Sequence, residues 1–279
     1  MTRLRHAIDI CPLGDLSDPR AIVRLARTAE ASGWDGLSIW DSLGLSMGTS
    51  AAEPFVALAA VAAQTTRLRL ITSVIALARR RPQLVVQAAA TLDLASDGRL
   101  ILGLGAGDDP SDFEPFGESH DTDARLASMR EGLAIVDAGL RGETLEHRGE
   151  SHQATGVVLG PRPTQEPRPP IWLGALKPGG IRRAAQWDGW VAVAMSEDGS
   201  SMTMTPDDLS SKIGLAEAER QTLRRAGEPF DVAVLGVAEL GGGVAGYARA
   251  GATWWLESLS PMRGSLDELE AIVRSGPPA

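Results

Sequence analysis

The sequence predicts a closed (β/α)8 TIM barrel built by a single domain that spans residues 1–279. Short β-like runs alternate with longer helical patterns along the chain, and this alternation is typical of parallel strands joined by crossover helices. Eight such runs can be placed, which favours a closed barrel over an open doubly wound sheet. A length of 279 residues is ordinary for a one-domain barrel.

The first four units are regular. Their strands are mostly apolar runs, expected at residues 6–10, 36–40, 68–74 and 100–104. Three helices begin at a capping side chain or a proline, namely Asp18 with Pro19, Glu53 with Pro54, and Pro82. The fourth helix, at 123–139, has apolar residues at helical spacing.

The pattern breaks between residues 143 and 170. Two extended runs and then five prolines predict a hairpin and an extended arm, inserted between barrel strands four and five. The remaining strands are expected at 171–173, 189–194, 232–235 and 253–256, with helices at 178–187 and 206–226. Ser265 and Glu268 form a capping-box pattern that predicts the start of a last helix.

Composition narrows the function classes. The formal net charge of -9 repels a phosphate backbone, so nucleic acid is not an expected partner. No apolar run reaches the ~20 residues that cross a bilayer, so no membrane span is expected. The lone Cys11 cannot form an internal disulfide, and we expect a cytoplasmic protein.

The expected site lies at the carboxyl ends of the barrel strands, where barrel enzymes place their reactive groups. The four histidines lie elsewhere, so neither a metal site nor a Ser-His triad is expected. The loops at these ends instead carry glycines, apolar residues and a few carboxylates. Such a lining suits a flat heterocyclic cofactor that carries its own chemistry.

Five stretches of the chain together resemble the luciferase-like monooxygenase superfamily, especially its actinobacterial flavin and deazaflavin oxidoreductases. They lie at residues 25–41 (LARTAEASGWDGLSIWD), 76–107, 113–118 (FEPFGE), 169–190 and 250–258 (AGATWWLES). The resemblance implies a (β/α)8 barrel, often a homodimer, with FMN or coenzyme F-420 at the barrel mouth. It also implies that the cofactor ring lies against the ends of strands three and four, and that the substrate is a small organic molecule.

The resemblance also assigns residues. Ser73 and Val74 match the place where relatives have a non-proline cis peptide that forms a bulge behind the ring. Trp40 could wall the pocket. The positions that match contacts to the ring edge or ribityl chain are Gly105, Gly107 and Asp108. The positions that match backbone amides at the cofactor phosphate are Gly174, Ala175, Val193 and Ala194.

The candidate catalytic residues are Asp41 and Ser42. Close relatives read Trp-Asp-His here, and the histidine serves as an acid or a base, but this chain has Ser42. A serine hydroxyl donates a hydrogen bond but cannot shuttle protons near neutral pH as imidazole does. Two interpretations of Asp41 stay open: it takes over proton transfer, or it caps a turn.

Three arginines, at positions 79–81, follow strand three. They could hold a cofactor phosphate or the acidic tail of F-420. Equally, they could form a solvated face or a salt-bridge cluster between subunits.

Two other function classes stand beside the redox enzyme. Ser42 in place of histidine suggests a cofactor-binding protein without turnover. A phosphate-handling isomerase or lyase is also conceivable on this barrel, with the run Gly241-Gly242-Gly243 holding phosphate.

Overall fold

The computed structural model describes residues 3–196 and 200–278, and its main body is a closed eight-stranded parallel barrel. The barrel strands, in order around the ring, are β1 (Arg5–Ile10), β2 (Gly36–Ile39), β3 (Arg69–Thr72), β5 (Leu100–Gly105), β8 (Ile171–Gly174), β9 (Gly189–Val193), β10 (Asp231–Gly236) and β11 (Trp254–Leu259). Pairing of β11 with β1 closes the ring. A two-residue strand, β4 (Ile75–Ala76), extends the pairing along β5. The predicted fold class is confirmed.

Eight α-helices accompany these strands within the described residues, the last of them after the final barrel strand. They are α1 (Pro19–Ala31), α2 (Pro54–Ala62), α3 (Pro82–Ala95), α4 (Thr122–Leu140), α5 (Pro178–Ala184), α6 (Pro206–Thr222), α7 (Ala245–Ala250) and α8 (Leu266–Arg274). The side chains of Asp18, Glu53 and Ser265 accept backbone hydrogen bonds at the starts of α1, α2 and α8, as their positions predict. No helix in the described ranges is long and apolar enough to cross a membrane.

The excursion at 143–170 contains the predicted hairpin. Strands β6 (Leu145–Arg148) and β7 (Gln153–Val157) pair antiparallel and form a separate two-stranded sheet. The Glu131 carboxylate on α4 accepts the backbone N–H groups of Glu150, Ser151 and His152, and so fixes the hairpin turn against the helix. The hairpin is therefore a fixed wall beside α4.

The barrel interior is a packed core. Small and aliphatic side chains fill it together with two fully buried tryptophans, Trp172 and Trp254, whose rings meet edge to face at 5.8 Å. Trp254 is the first residue of β11, so the tryptophans fill the half of the barrel nearer the amino ends of the strands. The candidate site is therefore sought at the carboxyl ends of the strands, which we call the barrel mouth.

Candidate active site

A polar layer crosses the barrel interior just below the mouth. Asp9 on β1 is the register partner of Ser38 on β2 and of Ser258 on β11. Ala7 lies in the interior cluster, and residues two apart on a strand share a face, so the Asp9 side chain points into the barrel. Sequence reasoning assigned no role to this layer.

Asp9 is a fully buried carboxyl group, with 1% of the residue exposed. The Ser73 hydroxyl donates to Asp9 Oδ1 at 2.5 Å, whereas Oδ2 makes no well-formed hydrogen bond within the described residues. Burial raises the pKa of Asp9 to about 6, and the hydroxyls of Ser73 and Ser38 offset only part of that effect. The barrel mouth therefore contains a carboxyl group that titrates close to neutral pH.

A bulge interrupts the barrel wall directly after β3. The peptide bond between Ser73 and Val74 is cis, as the resemblance implied. Pairing of β3 with β5 stops before Thr72, and β4 resumes it beyond the bulge. The Thr72 hydroxyl spans the gap, since it donates to the carbonyl of Gly103 at 2.8 Å and accepts from its amide at 2.7 Å. The bulge is thus held in a continuous wall.

Glycines surround the side chain of Val74. A Cβ atom added at Gly105 would lie 2.7 Å from Val74 Cγ2, and one added at Gly174 would lie 3.0 Å from it. At Gly103 the added atom would lie 1.8 Å from the Thr72 carbonyl oxygen. These glycines therefore leave the space that lets Val74, which is partly exposed, present an apolar surface at the mouth.

Asp41 is buried within a cluster of arginines. Its side chain is 2% exposed, and Oδ1 lies 2.7 Å from Arg79 Nη2 and 2.9 Å from Arg80 Nη2. Oδ2 accepts from Arg80 Nε at 2.9 Å and from the Ala76 amide at 3.1 Å. Both carboxylate oxygens are occupied, so Asp41 fastens the end of β2 to the segment behind the bulge.

The arginines at 79–81 divide into two roles. Arg79 and Arg80 pair with Asp41, Asp112 and Glu53 within the same chain. These ion pairs within one chain do not fit the solvated-face interpretation of the two guanidinium groups, and phosphate binding by them stays a prediction. The Arg81 side chain makes no ion pair or hydrogen bond with any residue the structure describes, whereas its backbone carbonyl accepts from the Leu84 and Val85 amides at the start of α3.

Ser42 lies in the loop after β2, beside the half-buried Trp40. Its hydroxyl oxygen accepts from the Gly44 amide at 3.0 Å and retains its own hydrogen for donation. The next amide, of Leu43, donates to the Asp112 carboxylate at 3.1 Å. A cavity of about 370 Å³ opens here, bounded by Leu43, Arg79, Arg80, Asp112, Phe116 and Glu118.

The loop after β5 holds the next candidates. Gly107 has a φ of +73°, and an added Cβ atom would lie 2.9 Å from the Phe113 ring, so the turn requires glycine. Asp108 is exposed, and its backbone carbonyl lies 2.9 Å from His120 Nε2. The following Asp109 is the residue that caps the next turn, through Ser111. The Asp108 carboxylate is therefore available at the mouth.

The backbone amides that follow β8 and β9 are less available for binding a cofactor phosphate. The Ala175 amide donates to Val191 O at 3.3 Å, and the Ala194 amide donates to Leu235 O at 2.8 Å. Gly174 is paired with Val191 in the sheet, while Val193 is partly exposed at the mouth. Phosphate binding through these amides stays a prediction, and the geometry does not favour it for Ala175 and Ala194.

Two further site types find little geometric support. The Gly241 and Gly243 amides donate to the carbonyls of Val237 and Ala238, so they are turned into a tight loop rather than toward a ligand. Within residues 3–196 and 200–278, no group of three His, Cys, Asp or Glu side chains is placed to hold a metal ion.

The chain thus combines an eight-stranded parallel barrel with a polar layer and an apolar bulge near its carboxyl mouth, the end at which barrel enzymes place their sites. The chain matches the family model described as luciferase-like monooxygenase over residues 6–235. It therefore belongs to the luciferase-like monooxygenase family.

The chain is also similar to individual proteins and solved structures. An uncharacterized protein of Mycobacterium tuberculosis is 29% identical over 238 residues, covering 79% of this chain and 78% of the relative. An F-420-dependent secondary alcohol dehydrogenase, solved with an F-420–acetone adduct, aligns with a TM-score of 0.81 at 15% identity, over 98% of this chain and 97% of that one. The oxygenating constituent of 3,6-diketocamphane monooxygenase from Pseudomonas putida, solved with FMN, aligns with a TM-score of 0.70 at 18% identity, over 85% and 67%. These structural likenesses show the shared fold.

Proposed function

We propose that this protein is an oxidoreductase that binds FMN or coenzyme F-420 at the barrel mouth and acts on a small organic molecule. The observation that carries the proposal is the partly exposed side chain of Val74 at the bulge, which Gly105 and Gly174 accommodate because neither has a Cβ atom. A flat aromatic ring packs well on such a face. Family membership and the cofactors of the two structural neighbours point the same way.

The residues at the mouth fit a cofactor with an apolar plane and a polar edge. Val74 and Trp40 would flank the ring, and Ser73, Gly105, Gly107 and Asp108 would lie along its edge. Below the ring, the buried Asp9 Oδ2 makes no well-formed hydrogen bond with the described residues, which suits an N–H or O–H donor on a ligand. The bound cofactor would supply the electron pair, either to dioxygen or as a hydride to the substrate.

Asp9 is the group best placed to hold a proton for the reaction. A pKa of about 6 leaves a usable fraction of both protonation states near neutral pH. Asp41, in contrast, has both oxygens engaged by arginines and an amide, so we assign it a positioning role. Ser42 keeps a donor hydrogen and would orient a ligand oxygen.

The alternative of cofactor binding without turnover keeps one specific support. In the loop after β2, neither the ion-paired Asp41 nor the turn-forming Ser42 can replace an imidazole as a proton shuttle. If Asp9 does not supply that proton, the protein would hold its cofactor without reacting. Oxidation of the reduced cofactor in the presence of candidate substrates separates the two functions.

We also propose that the protein is a homodimer. The helix α2 has the sequence PFVALAAVA and is apolar on all sides, and such a helix is normally covered. In the single chain, Val56 on α2 is 64% exposed and Leu84 on α3 is 57% exposed. A second copy packed on these neighbouring helices would bury both side chains.

Parallel titrations of the apoprotein with FMN and with F-420, followed by cofactor fluorescence, test the proposed function. We expect saturable binding of one of them, and at least tenfold weaker binding in Val74→Asp. The control is Val158→Asp, because Val158 lies 60% exposed beyond the hairpin and far from the bulge in sequence. Failure of both cofactors to bind at high micromolar concentration would overturn the proposal.

A further inference from the structure

A second concave site lies on the outer face of the barrel, between the hairpin and helices α3 and α4. We call it the hairpin groove. Its volume is about 450 Å³, within the usual range for small-molecule sites. Its apolar residues are Ile135 on α4, Leu145 on β6, and Val157 and Leu159 on the returning strand and arm, and Arg81 and His152 supply polar groups.

Arg81 gives the groove its charge. Unlike Arg79 and Arg80, whose guanidinium groups pair with carboxylates, Arg81 has no such partner within the described residues. None of the residues that line the groove is acidic. The nearby Glu131 carboxylate is taken up by three backbone amides of the hairpin turn. An exposed guanidinium group without a carboxylate partner is thus left at the edge of an apolar floor.

His152 is held in place next to this cation. Its Nε2 lies 3.2 Å from the Ser128 hydroxyl, and its backbone amide donates to Glu131. Burial is the main cause that lowers the His152 pKa, and Arg81 contributes to the same direction. The ring is therefore neutral near pH 7 and offers hydrogen-bonding nitrogens rather than a second positive charge.

We propose that the hairpin groove binds an amphipathic anion, with a carboxylate or phosphate head at Arg81 and an alkyl or aryl body on Val157 and Leu159. A guanidinium binds either head through charge-assisted hydrogen bonds. The accessible apolar surface of Val157 and Leu159 would be removed from water by an apolar body, which favours binding. This site is separate from the barrel mouth and would be filled together with the cofactor.

Calorimetric titration of the full chain with octanoate, octyl phosphate and neutral 1-octanol tests the proposal. We expect at least one of the two anions to bind ten or more times more tightly than 1-octanol, and the comparison of the anions identifies the preferred head. Saturating FMN or F-420 should leave that binding unchanged. Equal binding of the anions and the alcohol, or displacement by the cofactor, would overturn the proposal.

Substitutions locate the ligand. Arg81→Met keeps the apolar stem and removes the charge, so it should weaken anion binding at least tenfold. The control is Arg148→Met, which changes an exposed arginine on the same hairpin and should leave binding unchanged. Unchanged binding in Arg81→Met would place the ligand elsewhere. Absence of anion binding would refute the ligand site. If the chain also sediments as a dimer, the groove would instead be assigned to contact with the partner subunit.

Discussion

Replacing Asp9 by asparagine removes a buried charge without changing the size of the side chain. The wild-type carboxyl group has a pKa of about 6 in the folded protein, against about 3.9 in an unfolded chain. The folded state therefore binds the Asp9 proton more tightly than the unfolded state does. This contribution to stability is fully present below the unfolded pKa and is lost as the pH rises through about 6.

The size of the effect follows from the gap between the two pKa values. One pKa unit corresponds to about 1.4 kcal/mol, so a gap of roughly two units is worth about 3 kcal/mol over the whole pH range. Asparagine carries no charge at any of these pH values. Relative to the wild type, the free energy of unfolding of Asp9→Asn should therefore rise by about 2 to 3 kcal/mol between pH 4 and pH 7.5.

Urea unfolding of both proteins at pH 4, 6 and 7.5 measures this difference, and the m-values should stay equal. The control is Gly214→Ala, which lies in open space and changes no titratable group. Its difference from the wild type should not change with pH. A difference between Asp9→Asn and the wild type that is constant, or that falls as the pH rises, would refute the assignment of a raised pKa.

Three further outcomes are expected. Asp41→Asn should lower the free energy of unfolding in urea by about 3 to 5 kcal/mol, because it breaks a buried ion pair with Arg79. The control Glu53→Gln breaks an exposed pair with Arg80 and should cost about 1 kcal/mol or less. Equal losses would contradict the positioning role of Asp41. Gly105→Val should weaken cofactor binding at least tenfold in a fluorescence titration, since its Cβ atom would lie 2.7 Å from Val74 Cγ2. The control Gly214→Ala lies in open space and should bind the cofactor normally. Normal binding by both variants would argue against packing of the cofactor ring on Val74. Val56→Glu combined with Leu84→Glu should give a monomer in a sedimentation experiment. The control Met262→Glu, also at an exposed apolar residue, should remain a dimer. A monomeric wild-type protein would rule out the proposed dimer.

Local sequence signals predict most of the helices and strands, because contacts between residues close in the sequence determine where these elements begin. Helix starts at Asp18, Glu53 and Ser265 could be predicted, since each side chain caps a backbone amide two or three residues away. The six-residue helix α7 could not, because it is too short for a repeating apolar face. The position of the bulge at Ser73 and Val74 came from the family resemblance, not from the residues themselves.

Long-range contacts explain what the sequence could not predict. The role of Asp41 depends on Arg79 and Arg80, 38 and 39 positions away, and only the barrel brings them together. Asp9 carried one usable signal: it interrupts the apolar second half of β1, between Ile8 and Ile10 and on the same face as Ala7. The raised pKa of Asp9 depends on burial by side chains from the neighbouring barrel strands, which only the closed barrel brings around it.

A crystal structure of the complex with whichever cofactor binds more tightly tests the central claim most directly. The account predicts that the tricyclic ring packs against the side chain of Val74, between Trp40 and the loop after β5, with a polar ring atom near Asp9. A ring bound in the hairpin groove, or anywhere out of contact with Val74, would contradict the assignment of the active site to the barrel mouth.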